Sequence, residues 1–238
     1  MSESRRYGRA LLKISGEALA GDRDFGFDHR QVSEIAREIS AASRLGVELG
    51  IVIGGGNIFR GAAGSSLGVP PLVGDHIGMV ATVLNAMVLR SALEAVGVSA
   101  RTMSAFPVGK FVEPFERETA LKYVREGQVV IFAGGTGNPC FTTDSAAALR
   151  AVEIEAEVVI KATQVRGVFD KDPRKHPDAV FFESISHQEV LRRGLKVMDA
   201  ASVEILSREN IPTIVLDLHV PGNIAGALRG ERIGTLIS

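Results

Sequence analysis

Cysteine occurs once in these 238 residues, at Cys140; tryptophan never occurs and tyrosine only twice. A single thiol excludes an internal disulfide framework and fits a reducing compartment, so a cytoplasmic location is expected. Aromatic residues make up 5% of the chain, which argues against a base-stacking platform for single-stranded nucleic acid. Excess charge is missing too. Lys and Arg total 27 against 28 Asp and Glu, a net −1, so no nucleic-acid-coating surface is expected. No apolar run approaches the roughly 18 residues of a membrane span, and the basic opening MSESRRYGRA has no apolar stretch after it to read as a signal peptide. No membrane partner is therefore expected. A Walker A loop is absent, since no lysine follows either glycine cluster. The dinucleotide fingerprint GxGxxG fails at Phe59 in the first cluster and at Cys140 in the second. The histidines show no metal-ligand spacing, and nothing in the sequence pairs Cys140 with a base that would make it a nucleophile.

What is present is an alternation of strand and helix patterns from end to end. Residues 10–14 (ALLKI), 47–53 (VELGIVI), 128–132 (QVVIF), 157–161 (EVVIK) and 213–218 read as buried strands, with a further strand near 99–102 and a terminal one at 234–237. Asp28 can cap a helix whose apolar positions Val32, Ile35, Ala36 and Ile39 keep helical spacing, and Gly46 ends it. Helices are expected at about 75–96, 116–126, 144–154, 187–193 and 198–209, and a short one after Gly222. Residues 169–173 (FDKDP) form a turn with a short extended arm. Continuous Val/Ile-rich strands between helices predict an α/β fold, a three-layer α/β/α sandwich with a largely parallel central sheet. Residues 9–238 are expected to form a single domain, its N-terminal half holding an acceptor site and its C-terminal half a donor site, with residues 1–8 a flexible N-terminal segment.

Ligands in such folds gather at the carboxyl ends of the strands, where both glycine loops sit. Lys13 ends the first strand and leads into Ile14-Ser15-Gly16, where backbone N–H groups can approach a phosphate; the plainer reading is a surface lysine and an ordinary turn. Gly54-Gly55-Gly56 strips side chains from the next loop, and Arg60 can offer a forked donor to phosphate oxygens. The segment Gly134 to Asp144 combines a glycine turn, three threonines and a helix start whose N–H groups suit an anion. Asp144 reads either as a carboxylate orienting cations or as the helix N-cap, and the two roles can coexist. Lys161 and Thr163 end another strand. A second strand-end lysine is what transfer between two polyanions needs.

Taken together, LLKISGEAL, VIGGGNIFRG, VGDHIGM, GTGNPCFTTDSAA, KATQVRGVFDKDP and KVMD resemble the amino acid kinase family, and within it the bacterial uridylate kinases. The resemblance spans nearly the whole chain. It implies transfer of the γ-phosphoryl group of ATP to UMP, with Mg2+ carried on the ATP phosphates rather than by a direct protein site. It implies ATP contacts at Lys13, Ile14, Ser15, Gly16, Gly56, Arg60, Thr163, Phe169 and Asp172. It implies UMP contacts at Gly55, Asp75, Thr136, Gly137, Asn138, Pro139, Cys140, Phe141, Thr142 and Thr143. Lys13, Arg60 and Lys161 would neutralise the moving phosphoryl group, and Asp144 would organise the lysines or a Mg2+-bound water. Gly21, Asp22, Arg23, Asp24, Phe25 and Gly26 match a region linked to activation by GTP, and a homohexamer with inhibition by UTP is implied as well. Cys140 stands where relatives usually carry an aromatic residue, and the charged Asp22-Arg23-Asp24 is a second departure. An acetylglutamate kinase relative and a storage protein of the same fold are the alternatives; Asp75 weighs against the first, and the retained lysines, Arg60 and Asp144 against the second.

Residues 77–89 carry so little polar surface that a helix there must be covered on nearly every side. An obligate dimer across residues 77–89 is therefore expected, a two-fold contact with a second copy that a change of Val83 or Met87 to Glu would disrupt; the alternative is the chain's own segment 106–115 folded over the helix.

Overall fold

Apolar strands can be buried on both faces only if each face has its own cover. The computed structural model describes residues 5–60 and 67–238. Its strands are β1 (Arg9–Ile14), β2 (Glu48–Ile53), β3 (Ala100–Ser104), β4 (Glu113–Pro114), β5 (Val129–Ala133), β6 (Val158–Thr163), β7 (Val168–Phe169), β8 (Phe181–Phe182), β9 (Ser184–Ile185), β10 (Thr213–Asp217) and β11 (Thr235–Ile237). Its helices are α1 (Glu17–Ala20), α2 (His29–Ser43), α3 (Pro71–Ala95), α4 (Arg117–Arg125), α5 (Thr143–Glu153), α6 (His187–Arg193), α7 (Ala200–Arg208) and α8 (Asn223–Arg229). Nine strands form one sheet in the order β4-β3-β5-β2-β1-β6-β10-β11-β9, while β7 and β8 make a separate ribbon. Every pairing in the large sheet is parallel except β10 with β11.

Strand alternation sorts the core into two layers. Leu12, Ile14, Ile51 and Ile53 pack with α2, α3 and α8 on one face. Leu11, Val52, Val130 and Val159 pack with α4, α5 and α7 on the other. The same alternation assigns Lys13 to the face of Leu11, and Lys161 to the face of Val159, which is the α5 face. From β1 the sheet grows one way through β2 and the other way through β6, so the strand order reverses between β1 and β6, where open α/β sheets form their crevice.

Several boundaries differ from the sequence reading for local reasons. Helix α3 begins one turn early, with Pro71 in its first turn, where a proline has no N–H to lose; Asp75 therefore lies within the helix. By length and composition α3 is apolar enough to cross a bilayer, contrary to the expectation of no such run, but Val83, Ala86, Leu89 and Leu93 are packed in the core beneath it. Val83 is thus an inward residue, not an outer one. Val80, Leu84 and Met87 form the exposed stripe. Segment 106–115 does not cover that stripe: Phe106 and Val108 pack at the core's edge while Phe111 is itself exposed. At the N-terminus, Tyr7 is buried and the Arg6 N–H donates to the Leu228 carbonyl. Residues 1–4 of that segment, and Gly61 of the VIGGGNIFRG motif, lie outside the described residues.

Candidate active site

Parallel register places Lys13 directly beside Lys161 on β1 and β6. Adjacent strands lie about 4.8 Å apart, so two ammonium groups are forced together on one face. Asp144 relieves the repulsion. Its Oδ1 lies 3.0 Å from Lys13 Nζ and its Oδ2 accepts from Lys161 Nζ at 2.7 Å. Lys161 also donates to the Val197 carbonyl. Burial pushes the Lys161 ammonium below the ordinary lysine range, with Lys13 adding to the fall and Asp144 opposing it. Three side chains with a net charge of +1 therefore line the switch point, held mostly out of water.

Thr142, not Asp144, caps α5: its hydroxyl accepts from the N–H groups of Asp144 and Ser145. Two donors that the sequence offered to an anion are thus already used, and the Asp144 carboxylate is free for the lysines. Thr142 is held in turn by Asp199, which also accepts from the Ser145 hydroxyl at 3.0 Å and from Ser202 N–H at 2.8 Å. Burial pushes the Asp199 carboxyl up, but these donors outweigh it and its pKa lies below the usual carboxylate value.

The glycine turns pack against each other as closely as backbone allows. A Cβ on Gly16 would stand 2.6 Å from the Gly54 carbonyl oxygen and 2.8 Å from Gly56 N. One on Gly55 would stand 2.7 Å from the Gly78 carbonyl of α3. The sequence suggested that these glycines serve close approach of a ligand; at Gly16 and Gly55 the protein itself already fills the space.

Two clefts open near the carboxyl ends of the strands, and the lysine pair lines the larger of them. The smaller, about 390 Å³, is lined by Gly55, Gly56, Asp75, Asn138, Thr142 and Thr143 among others. The larger, about 710 Å³, is lined by Lys13, Ser15, Lys161, Thr163, Phe169 and Asp172 among others. Asp75 closes the smaller cleft by accepting the Cys140 N–H at 2.8 Å. Cys140 itself has φ +69°, a left-handed conformation uncommon outside glycine and asparagine. Arg60 stands at the rim, its Nε donating to the Gly56 carbonyl at 3.2 Å and lying 3.5 Å from Glu17. Phe169 meets Phe181 edge-on, with centroids 5.3 Å apart.

The profile of the amino acid kinase family matches residues 8–217. The chain belongs to the amino acid kinase family. Among its relatives is a protein named uridylate kinase from Brucella anthropi, 51% identical over 238 residues, covering 100% of this chain and 99% of that one. Another is the chloroplastic uridylate kinase PUMPKIN of Arabidopsis thaliana, 51% identical over 98% of this chain and 69% of its own length. The crystal structure of UMP kinase from Bacillus anthracis superposes with a TM-score of 0.96 at 36% identity, covering 98% of this chain and 97% of that one.

Of the residues singled out from the sequence, this amino acid kinase fold brings Lys13, Lys161 and Asp144 into contact. Ser15, Thr163, Phe169 and Asp172 line the larger cleft, and Gly55, Asp75, Asn138, Pro139, Phe141, Thr142 and Thr143 the smaller. Gly56, expected among the ATP contacts, lines the smaller cleft instead, and Ile14, Gly16, Arg60, Thr136, Gly137 and Cys140 line neither. Residues 21–26 line neither cleft: the Gly26 N–H donates to the Asn57 carbonyl, the Gly26 carbonyl accepts from Asn57 Nδ2, and Phe25 is exposed. Sequence reasoning gave no role to Asp199, Thr82, Asn57 or Asn85. Thr82 accepts the Gly134 N–H at 2.7 Å and so ties α3 to the second glycine loop. For Asp199 a signal existed, since Asp three residues before Ser202 is an N-cap pattern. Asn85 was legible as a lone amide in an apolar helix.

Proposed function

We propose that this protein is an ATP-dependent UMP kinase, converting UMP and ATP to UDP and ADP in pyrimidine nucleotide biosynthesis. The observation that carries the reading is the pair of half-buried lysines bridged by Asp144, both lining the larger of two clefts. Relatives and structural neighbours that span the full chain and bear the names uridylate kinase and UMP kinase support it. ATP takes the larger cleft and UMP the smaller. The nucleophile is a phosphate oxygen of UMP, already ionised at neutral pH, so no general base is required. What the protein must supply is alignment and neutralisation of charge on the transferred group. Lys13 and Lys161 do this from the sheet and Arg60 from the loop rim. One cation about 4 Å from a phosphate oxygen is worth about 4 kcal/mol at an effective dielectric of 20.

Mg2+ enters as part of the ATP substrate. Among the described residues no group of three or more His, Cys, Asp or Glu side chains could hold the ion by itself, and both Asp144 oxygens face lysines. The resemblance further suggests a hexamer, activation by GTP through residues 21–26, inhibition by UTP and a cytoplasmic location. The experiment is an ATP-dependent transfer assay across UMP, CMP, AMP, GMP and N-acetylglutamate, with and without GTP. ADP release dependent on UMP is expected. Turnover with N-acetylglutamate and none with UMP would overturn the reading.

A further inference from the structure

Two buried amides lie outside the machinery described so far. Asn57 follows the triglycine turn and Asn85 sits in the middle of α3, and both are shut off from solvent. Asn85 Nδ2 donates to the Gly54 carbonyl at 2.6 Å and to Asn57 Oδ1 at 2.6 Å. Asn57 Nδ2 donates back to Asn85 Oδ1 at 3.1 Å and to the Gly26 carbonyl at 2.9 Å. The Gly26 N–H completes the strap by donating to the Asn57 carbonyl at 2.8 Å. Each side-chain polar atom of both residues is used. Buried amides are costly unless fully paired, and an apolar residue would suit this stretch of α3 with less demand on geometry. A fully satisfied polar pair in such a place specifies one arrangement of the segments it joins.

The arrangement it specifies is at the switch point. The carbonyl that Asn85 holds is the one against which Gly16 rests, and a Cβ at Gly16 would also stand 2.6 Å from Asn57 Oδ1. The turn that follows β1 and its Lys13 is therefore seated on the loop that the asparagines fix, and Gly55 and Gly56 of that same loop line the smaller cleft. We infer that Asn57 and Asn85 form a positioning pair that sets the spacing between the donor-side turn and the acceptor-side loop. Neither touches a reacting atom. The inference rests on the UMP kinase reading, in which ATP and UMP meet across this contact. In-line transfer is sensitive to such spacing: a displacement of about 1 Å can cost about a hundredfold in rate.

The test is a double-mutant cycle with Asn57→Ala, Asn85→Ala and the double variant, measuring kcat and both KM values by varying MgATP or UMP while the other saturates, alongside thermal melts. Each single variant is expected to lose on the order of tenfold to a hundredfold in kcat while both KM values stay within about threefold. The double variant is expected to lose no more than the worse single one, as coupled residues do. Asn85→Ser, whose hydroxyl can still donate to Gly54, is expected to fall between wild type and Asn85→Ala, and it carries the test if the alanine variants do not fold. Folded variants with kcat within about twofold of wild type, or single losses that multiply in the double, would overturn the positioning role. A wild-type enzyme inactive on UMP would instead overturn the reading beneath it.

Discussion

At the scale of single residues, the site is an electrostatic problem set by strand register. Lys13 and Lys161 are neighbours because β1 and β6 pair in register, and they tolerate one another because Asp144 reaches both. Removing one preorganised charge donor typically costs about a hundredfold or more. Lys13→Ala is expected to lower kcat by at least that order while circular dichroism shows the fold intact, since Lys161 still neutralises Asp144. A folded variant with near-normal turnover would take Lys13 out of the mechanism. Asp75 belongs to the smaller cleft alone, so Asp75→Asn is expected to raise KM for UMP well above any change in KM for ATP. Equal changes would remove Asp75 from the acceptor side.

At the scale of elements, helix starts decide what the polar residues are free to do. Thr142 caps α5, which leaves the Asp144 carboxylate to the lysines. Ser186 caps α6 by accepting the Glu189 N–H, and the next residue, His187, is buried with Nε2 unpartnered. Burial pushes the His187 pKa below 6.5, opposed by a backbone hydrogen bond with Ile211. The folded state therefore resists a proton that the unfolded chain accepts, and stability is lost as pH falls below about 6.5. Carboxylates whose pKa values are lowered, Glu189 to about 2 by Arg192 and Arg193 and Asp199 by its hydrogen bonds against the cost of burial, titrate at more acid pH. His187→Gln is expected to flatten the fall in Tm between about pH 7 and about pH 5. An unchanged slope would show that His187 contributes nothing to it.

At the scale of the whole molecule, the outer side of one helix leaves an apolar stripe exposed. Helix α3 buries Val83, Ala86, Leu89 and Leu93 inward and exposes Val80, Leu84 and Met87 along its outer side. A second copy of the chain is the covering we expect, paired about a two-fold axis. Met87→Glu should lower the mass measured by light scattering while the chain stays folded. Val83→Glu, which buries a charge inside the protomer, should instead unfold it. Wild-type mass in a folded Met87→Glu variant would show that no copy packs on this stripe.

Much of this was legible before any coordinates. Strand runs such as VELGIVI and QVVIF are buried on both faces and so declare a covered parallel sheet, and glycine loops at their ends mark the crevice. Periodicity also placed Asp28 as the cap of α2, where its carboxylate accepts from Arg30 and Gln31 N–H. These features are local, and local sequence determines them. Short pairings such as β4, β8 and β9 went unread because two residues carry no period. The reach of Asp144 to two lysines depends on which strands become neighbours, and β6 pairs with β1 although 143 residues separate Ile14 from Val158. The inward side of Val83, the seating of Gly16 on Gly54 and the amide pair of Asn57 and Asn85 have the same origin. Each is a contact between segments far apart in the chain, so only the packing of layers, not any property of the residues taken in order, could decide it.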